Sequence, residues 1–333
     1  MNKLARLAPD SFTLAIVTAV ILALLLPCSG EIARAVGIGS HIAIALLFFL
    51  QGARLSRPAV LAGILHWRLH LLVFAATFIA FPLIGLALGP LSGTVLAPQL
   101  YVGLVFLCTL PSTVQASVIF TSIAGGNVAA ALCCASLSSI AGMVLTPLLV
   151  GLLLQAHGGV SLNALGGIAL QLLLPFVVGQ LAQSILDAWM QRHAREVRLV
   201  DRASVLLMVY GAFSAATLSG AWSRLPAASL LVLAMVDAAL LATMLAGTAI
   251  AARRFGFQRA DEIAIVFCGS KKSLVTGIPM ANALFSSATL GLVVLPLMIF
   301  HQLQLMACAT LARRYALSGS AGVLAEIPAS SRH

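Results

Sequence analysis

Long apolar runs, separated by short polar or charged segments, dominate this chain. A helix that crosses a lipid bilayer needs about 20 mostly apolar residues. The pattern therefore predicts an all-α polytopic membrane protein with ten transmembrane helices, at residues 11–27, 38–53, 70–90, 99–123, 127–153, 163–186, 203–222, 228–252, 260–286 and 290–312. We expect one membrane-embedded unit over residues 1–317 and a disordered cytoplasmic tail over residues 318–333, which are mostly small and polar.

Composition excludes an ordinary soluble domain. Of the 333 residues, 61% are hydrophobic and 8% are charged, and the mean hydropathy is +1.08. Soluble domains carry about 25% charged residues. The net charge of +10 does not indicate nucleic-acid binding, because no aromatic residues interleave with the basic ones. The six cysteines lack C-x-x-C spacing, so the sequence predicts no metal site and no cofactor.

The basic residues predict the orientation of the helices. Lys and Arg gather in cytoplasmic loops of membrane proteins. With a cytoplasmic N-terminus, the outer loops hold only Arg34 and Arg224. The inner segments hold Lys3, Arg6, Arg54, Arg57, Arg68, Arg192, Arg195, Arg198, Arg202, Arg253, Arg254, Arg259, Arg313, Arg314 and Arg332. We therefore expect both termini in the cytoplasm and the chain in a bacterial inner membrane.

Ten helices divide into halves of five, at about residues 1–156 and 157–317. An odd number of helices per half inverts the second half relative to the first, and inverted repeats are a transporter architecture. The predicted fifth helix contains Leu145-Thr146-Pro147-Leu148, and the tenth contains the similar Val294-Leu295-Pro296-Leu297. The fourth and ninth helices occupy equivalent places and are the two most interrupted by Gly, Pro and polar residues.

The fourth helix is predicted to break at Pro111, which lacks an amide hydrogen and disfavours helical dihedrals in the preceding residue. Ser112 and Thr113 could cap a new helix start, and Gln115 and Ser117 add polar groups just beyond. Non-helical backbone at membrane depth is tolerated only inside protein or beside a water-filled cavity. These four polar residues are therefore candidates for a substrate or ion site.

The ninth helix is predicted to break at Gly269, with Ser270 and Ser273 as possible caps. Lys271 and Lys272 lie beside this break, about eleven residues into the helix. A lysine at the bilayer centre costs at least about 2.5 kcal/mol. The two lysines and the two half-helix N-termini predict either an anion site or ammonium groups that replace a bound cation.

Asp237, near the middle of the eighth helix, is the other charge within the membrane. A buried carboxylate needs a cationic partner or a proton. We expect Lys271 or Lys272 as the partner, and a protonated Asp237 bonded to backbone remains the alternative. His301, Gln302 and Gln304 of the tenth helix are expected to serve helix packing.

These motifs make the chain resemble the bile acid:sodium symporter family, and in particular a divergent subgroup that includes its seventh vertebrate member and many bacterial proteins. The resemblance covers nearly the whole chain. It rests on "FCGSKKSLVTGIPMANALF" (267–285), "LPSTVQASVIFTSIAGGNVAAAL" (110–132), "FLQGARL" (49–55) and "FPLIG" (81–85). It implies a panel of helices 1, 2, 6 and 7, a core of helices 3–5 and 8–10, and crossing of the broken helices 4 and 9.

In sodium-coupled members of that family, the crossing holds two sodium ions, and organic anions bind between core and panel. This chain departs from the sodium pattern. The resemblance places Phe267 where the family has a glutamate, Lys271 and Lys272 where it has glutamine and asparagine, and Thr77 where it has another glutamine. Ser117 is retained, whereas Val118, Ala131 and Ala135 replace an asparagine and two hydroxyl residues. Because hard cations need oxygen ligands, sodium coupling by the mechanism of that family is not expected.

The sequence thus predicts a secondary active transporter of small organic anions that works by alternating access in the lipid bilayer. Lys271 and Lys272 would either stay charged or exchange a proton with Asp237, so sodium, a proton or neither could be the coupling ion. The resemblance also leaves open a membrane regulator without transport, for example of calcium handling. No H-E-x-x-H or G-x-S-x-G motif indicates an enzyme. The oligomeric state is not predicted.

Overall fold

The computed structural model describes residues 11–54, 66–154, 162–225 and 227–326, and these residues form helices joined by short connections. We number the α-helices in chain order. They are α1 (Ser11–Leu25), α2 (Gly30–Arg54), α3 (Trp67–Ala75), α4 (Phe81–Ala87), α5 (Pro98–Thr109), α6 (Val114–Ile123), α7 (Val128–Leu154), α8 (Leu162–Arg192), α9 (Ala194–Leu218), α10 (Ala227–Arg254), α11 (Arg259–Gly269), α12 (Leu274–Leu284) and α13 (Ser287–Glu326). A π-helical turn, Ala76–Ala80, joins α3 to α4.

Within the described ranges, eight helical segments are long and apolar enough to cross a membrane, and the pair α5–α6 makes a ninth. That pair bends by 63° at its break. The apolar helix α1 is shorter than the others. The all-helical membrane architecture is confirmed, whereas ten spanning helices in an inverted repeat remain a prediction.

Helix α13 ends later than the sequence pattern predicts. It continues to Glu326, so the tail that was expected to be disordered from Ser318 is helical up to that residue. Residues 318–326 contain no proline, so the existing helix can be extended through them by one hydrogen bond per residue. The rest of the predicted tail, residues 327–333, lies outside the described part of the chain.

Helices α2 and α8 approach each other through two glycines. A Cβ at Gly52 would lie 2.1 Å from the Phe176 carbonyl oxygen, and a Cβ at Gly179 would lie 2.0 Å from the Phe49 carbonyl oxygen. The contact is reciprocal, because each glycine meets the backbone of the other helix. Close backbone approach at small residues is the usual way that helices pack in membranes. With α1 packed on α9 and α9 on α2, these four helices form one contiguous group.

The remaining helices surround the two interrupted segments. Helix α5 packs on α13, where a Cβ at Gly103 would lie 2.3 Å from the Val293 carbonyl oxygen. Helix α10 packs on α11 and α13, and α7 packs on α5 and α6. The segment Arg259–Leu284, which contains α11 and α12, is the most enclosed of the candidate spans, since 94% of its apolar window is buried. The lysine-bearing break is therefore surrounded by protein on all sides.

Three of the arginines that were predicted to be cytoplasmic contact distant segments of the chain. Arg54 forms a 2.6 Å ion pair with Asp201, which links α2 to α9. Arg68 donates to the Phe255 carbonyl oxygen, and Arg259 donates to the Tyr315 carbonyl oxygen. These contacts join segments that are far apart in sequence, as expected if the basic loops share one membrane face.

Candidate functional site

The break between α5 and α6 leaves several backbone groups without helical partners, and neighbouring side chains bind most of them. Pro111 has no N–H, and the Ser112 N–H donates to the Ser138 hydroxyl at 3.0 Å instead of to the Cys108 carbonyl. The Thr109 carbonyl accepts from the Thr146 hydroxyl at 2.8 Å. The carbonyls of Cys108 and Leu110 are thereby free to accept from elsewhere.

The break between α11 and α12 contacts the first break directly. The Ser273 N–H donates to the Pro111 carbonyl at 3.0 Å. In return, the Ser112 hydroxyl donates to the Cys268 carbonyl at 2.7 Å, and the Ser117 hydroxyl donates to the Phe267 carbonyl at 2.9 Å. Each interrupted segment thus satisfies backbone groups of the other, so the two breaks form one buried polar centre.

The π-helical turn supplies a third free carbonyl. The Phe81 N–H donates to the Ala76 carbonyl, five residues earlier. The Thr77 carbonyl would need the N–H of residue 82 to continue this pattern, and that residue is a proline. The Thr77 carbonyl therefore accepts from outside its own helix, whereas its hydroxyl oxygen is buried without a hydrogen-bond partner. Single π-turns are frequent at functional sites.

Lys272 fills the space between these three carbonyls. Its Nζ lies 2.9 Å from the Thr77 oxygen, 2.8 Å from the Cys108 oxygen and 2.7 Å from the Leu110 oxygen. The Phe81 ring covers the same nitrogen at 4.1 Å from its centroid. The side chain is fully buried. Three acceptors match the three N–H donors of an ammonium group, so this lysine closes a complete carbonyl cage.

Lys271 points into a different environment. Its Nζ donates to the Ala116 carbonyl at 2.9 Å and lies over two rings, 4.4 Å from the Phe120 centroid and 5.0 Å from the Phe267 centroid. This residue is also fully buried. Aromatic faces attract a desolvated cation. The two lysines therefore occupy separate pockets on either side of the crossing and do not converge on one anion site.

Asp237 does not form the predicted ion pair. Neither lysine nitrogen lies within 4 Å of its carboxylate, and the ion pairs in the described part of the chain are Arg54–Asp201 and Arg253–Glu262. Both carboxylate oxygens are buried without a hydrogen-bond partner, so the alternative of a backbone bond is absent as well. The sequence argument failed because the backbone carbonyls, not the carboxylate, bind the Lys272 nitrogen.

The predicted caps are correct at one position only. Ser273 precedes α12, and its hydroxyl accepts from the Thr276 N–H at 3.2 Å. Ser270 instead donates back to the Val266 carbonyl at 2.6 Å. Thr113 precedes α6 without a side-chain cap bond, and the Ser112 hydroxyl is used by Cys268. Gly269 matters for packing, since a Cβ there would lie 3.0 Å from Thr248 Cγ2.

Sequence comparison shows the family of the protein that carries this centre. Residues 10–317 match the SBF-like CPA transporter family. The chain belongs to this family. It is 54% identical to an uncharacterised Pseudomonas aeruginosa protein, with 97% of this chain and 98% of that protein covered. It is 51% identical to the putative symporter YfeH of Escherichia coli, covering 94% of each. It is 31% identical to the sodium/bile acid cotransporter 7-B of Xenopus laevis, covering 92% of this chain and 91% of that protein.

Membership confirms the resemblance inferred from the sequence motifs and makes this chain an integral membrane protein of a transporter family. A transporter moves a small-molecule substrate across the bilayer. In this member of the SBF-like family, Gln115 is exposed, unlike the buried residues of the lysine centre. It lines a cavity of about 310 Å³ with Arg54, Arg198 and residues of α8. That cavity separates α6 from the group formed by α2, α8 and α9.

Two residues of this SBF-like centre were not predicted as site residues. The Gln304 side chain is fully buried, and its amide pairs with the Lys272 backbone, accepting from its N–H and donating to its carbonyl, each at 2.9 Å. Ser138 holds the Ser112 N–H in the same manner. Gln304 was expected to serve helix packing. The sequence signal for its role was a polar residue within an otherwise apolar helix, because the backbone of a broken membrane helix needs hydrogen-bond partners.

Proposed function

We propose that this protein is a secondary active transporter of small organic anions, and that the Lys272 ammonium group permanently replaces a diffusible cation at the crossing of the two breaks. The observation that carries the proposal is the carbonyl cage around its Nζ. Oxygen ligands of this kind bind hard cations in proteins. A lysine in that position supplies the charge without an ion from solution.

The cavity beside Gln115 supports an anionic substrate. It has a volume of about 310 Å³, and Arg54 and Arg198 are among its lining residues. Arginine binds carboxylate, sulfonate and phosphate groups through its planar fork. Arg54 is paired with Asp201, and Asp187 also lines the cavity, so Arg198 is the basic group that we expect to contact the substrate.

In this proposal, the helices divide as the sequence predicts. Helices α1, α2, α8 and α9 form the panel, and the remainder form the core that contains both breaks, within an inverted repeat of ten spans. Alternating access would move the core against the panel and expose the cavity to each side in turn. The protein would lie in the bacterial inner membrane with both termini in the cytoplasm, because this orientation puts most of its Lys and Arg residues in cytoplasmic segments.

The decisive experiment is transport by purified protein in proteoliposomes. A panel of organic anions is first screened by thermal unfolding, since a compound that binds the native state raises its Tm. Uptake of the best compound is then measured under imposed sodium, proton and potassium gradients. We expect uptake that is unchanged when sodium is replaced by choline. Uptake that requires sodium would refute the proposal that Lys272 replaces a diffusible cation. Ligand binding without any flux would favour a regulatory protein.

A further inference from the structure

A second cavity lies on the surface of the helices that surround the lysine centre. It has a volume of about 670 Å³ and lies between α10, α11 and α13. Its walls are apolar, with Ala242, Leu245, Ala246 and Met306 among the lining residues. Small residues along α10 leave the space open, because alanine covers little of the helix surface. Nothing in the proposed transport cycle uses this cavity.

The polarity of the cavity changes along its length. Its lining also includes Arg253, in the last turn of α10, and Arg314 and Tyr315, which follow Met306 along α13. Arg253 binds Glu262 through Nε and Nη2, at 3.0 and 2.8 Å, and the Tyr315 hydroxyl donates to the same carboxylate at 3.0 Å. Glu262 is thereby occupied. No described side chain pairs with the Arg314 guanidinium, so this end of the cavity carries a net positive charge.

The length of the cavity matches one leaflet of a bilayer. Ala242 and Arg253 lie eleven residues apart on α10, which corresponds to about 16 Å along the helix axis. The hydrocarbon core of a bilayer is about 30 Å thick, so the whole cavity extends over about half of it. The arginines then lie at the level of the lipid headgroups. A transmembrane helix from a second copy would need a groove through both leaflets.

We propose that this cavity, the α10–α13 groove, is a binding site for an anionic phospholipid. One acyl chain would lie along Ala242, Ala246 and Met306, and the phosphate would accept hydrogen bonds from Arg314 and from the free edge of Arg253. Basic pockets between transmembrane helices are typical sites for acidic lipid headgroups. A zwitterionic lipid would offer the same chain but no net negative charge.

The groove also lies close to Lys271. The Tyr315 ring contacts Phe267 at a centroid distance of 6.2 Å, and Phe267 contacts the Lys271 nitrogen and the Phe120 ring. Val266, which lines the groove, precedes Phe267 in α11. A lipid in the groove would therefore restrict the aromatic residues that enclose Lys271. Bound lipid is expected to stabilise the core as well as to occupy its surface.

The test uses full-length protein in a neutral detergent, with dioleoylphosphatidylglycerol as the probe and dioleoylphosphatidylcholine as the comparison. Native mass spectrometry counts retained lipids, and thermal unfolding reports the Tm. We expect one tightly retained phosphatidylglycerol and a higher Tm, with much weaker retention of phosphatidylcholine. Arg314→Ala should weaken phosphatidylglycerol retention about tenfold, whereas Arg313→Ala, its neighbour outside the cavity, should retain it.

A second pair of variants tests the apolar part without changing charge. Ala246→Phe should fill the groove and prevent retention, whereas Thr243→Phe, which is exposed on α10 but outside the cavity lining, should not. Equal retention of the two lipids, or normal retention by both Arg314→Ala and Ala246→Phe, would overturn the proposal. So would a dimer that Ala246→Phe converts to a monomer, because a second copy would then occupy the groove.

Discussion

At the scale of single residues, the stability of the site depends on which side chain forms a hydrogen bond with each backbone group that the helix breaks leave unpaired. Lys272 serves three carbonyls, and Gln304 serves the Lys272 backbone. A buried acceptor without a donor costs about 1–3 kcal/mol. Lys272 and Gln304 are unusual residues for a membrane helix, and their hydrogen bonds are what allow the helix breaks to exist within the membrane.

Lys272→Ala should vacate the carbonyl cage. Three unsatisfied carbonyls would lower the free energy of unfolding by about 3 kcal/mol or more, and the Tm of the purified protein should fall clearly. Sodium or ammonium chloride should restore part of this Tm by entering the cage, whereas choline chloride should not, because choline is too large to enter.

Lys271→Ala provides the control for this rescue, since its nitrogen meets one carbonyl and two rings. Its Tm should not respond to the choice of cation. A cation response of the same size in the wild-type protein or in Lys271→Ala would contradict the cage interpretation.

Gln304→Leu should destabilise the protein by about 2–4 kcal/mol, because both bonds to the Lys272 backbone are lost and leave a buried N–H and a buried carbonyl. Gln302→Leu, in the same helix and only partly buried, loses a single bond with Thr13 and should change the Tm much less. Thermal unfolding of the two variants side by side measures the difference. Equal effects would show that Gln304 serves only packing.

At the scale of helices, glycines determine how closely the segments approach. Gly142 lies against Pro111, where a Cβ would meet the proline ring at 2.7 Å, so this glycine makes room for the first break. The reciprocal glycines of α2 and α8 act similarly in the other helix group. Because membrane helices lack a hydrophobic driving force for association, such contacts decide which helices pair.

Gly179→Ala should disrupt the α2–α8 contact, because its Cβ would lie 2.0 Å from the Phe49 carbonyl oxygen. We expect a loss of about 1–3 kcal/mol from overpacking. Gly167→Ala, in the same helix with nothing within 4 Å, should be neutral or stabilising by up to about 1 kcal/mol. Thermal or denaturant unfolding in detergent distinguishes the two, and equal stabilities would show that α2 and α8 can separate freely.

The sequence predicted the helical segments better than the contacts between them. Proline and glycine identify both breaks, since their backbone chemistry is local. The partner of Lys272 could not be predicted, because a carbonyl carries no signature in the sequence. Thr77 and Pro82, five residues apart, did contain a local signal for a free carbonyl once the π-turn is known. Asp237 was assigned a partner from its charge alone, and the geometry does not support it.

At the scale of the whole molecule, the buried lysine centre and the solvent-exposed cavity are distinct. Ser117 lies within the centre and is fully buried, whereas Gln115, two residues earlier in α6, is exposed in the cavity lined by Arg54 and Arg198. About half a helical turn of α6 therefore connects the polar centre to the place where a substrate would bind. Movement of the core would shift both together.

Gln115→Cys should react quickly with a membrane-impermeant maleimide. The six native cysteines are buried, so the wild-type protein should label slowly. The organic anion that raises the Tm most should slow the labelling of Gln115→Cys by occupying the cavity or closing it. Ser117→Cys, in the same helix, controls for local unfolding and should stay unlabelled. If no ligand changes the rate at which Gln115→Cys is labelled, this cavity is not the substrate site.

The attachment of Lys272 to the polypeptide has an electrical consequence. A dissolved cation that accompanies an anion cancels its charge and releases the energy of its own gradient at every turnover. An ammonium group on a side chain returns with the protein, so over a complete cycle only the charge of the substrate crosses the membrane. For a monovalent anion, an inside-negative potential then favours the outer compartment by about 2.3 kcal/mol per 100 mV. In a polarised cell, the membrane potential would therefore favour export by the proposed transporter unless another ion travels with its substrate.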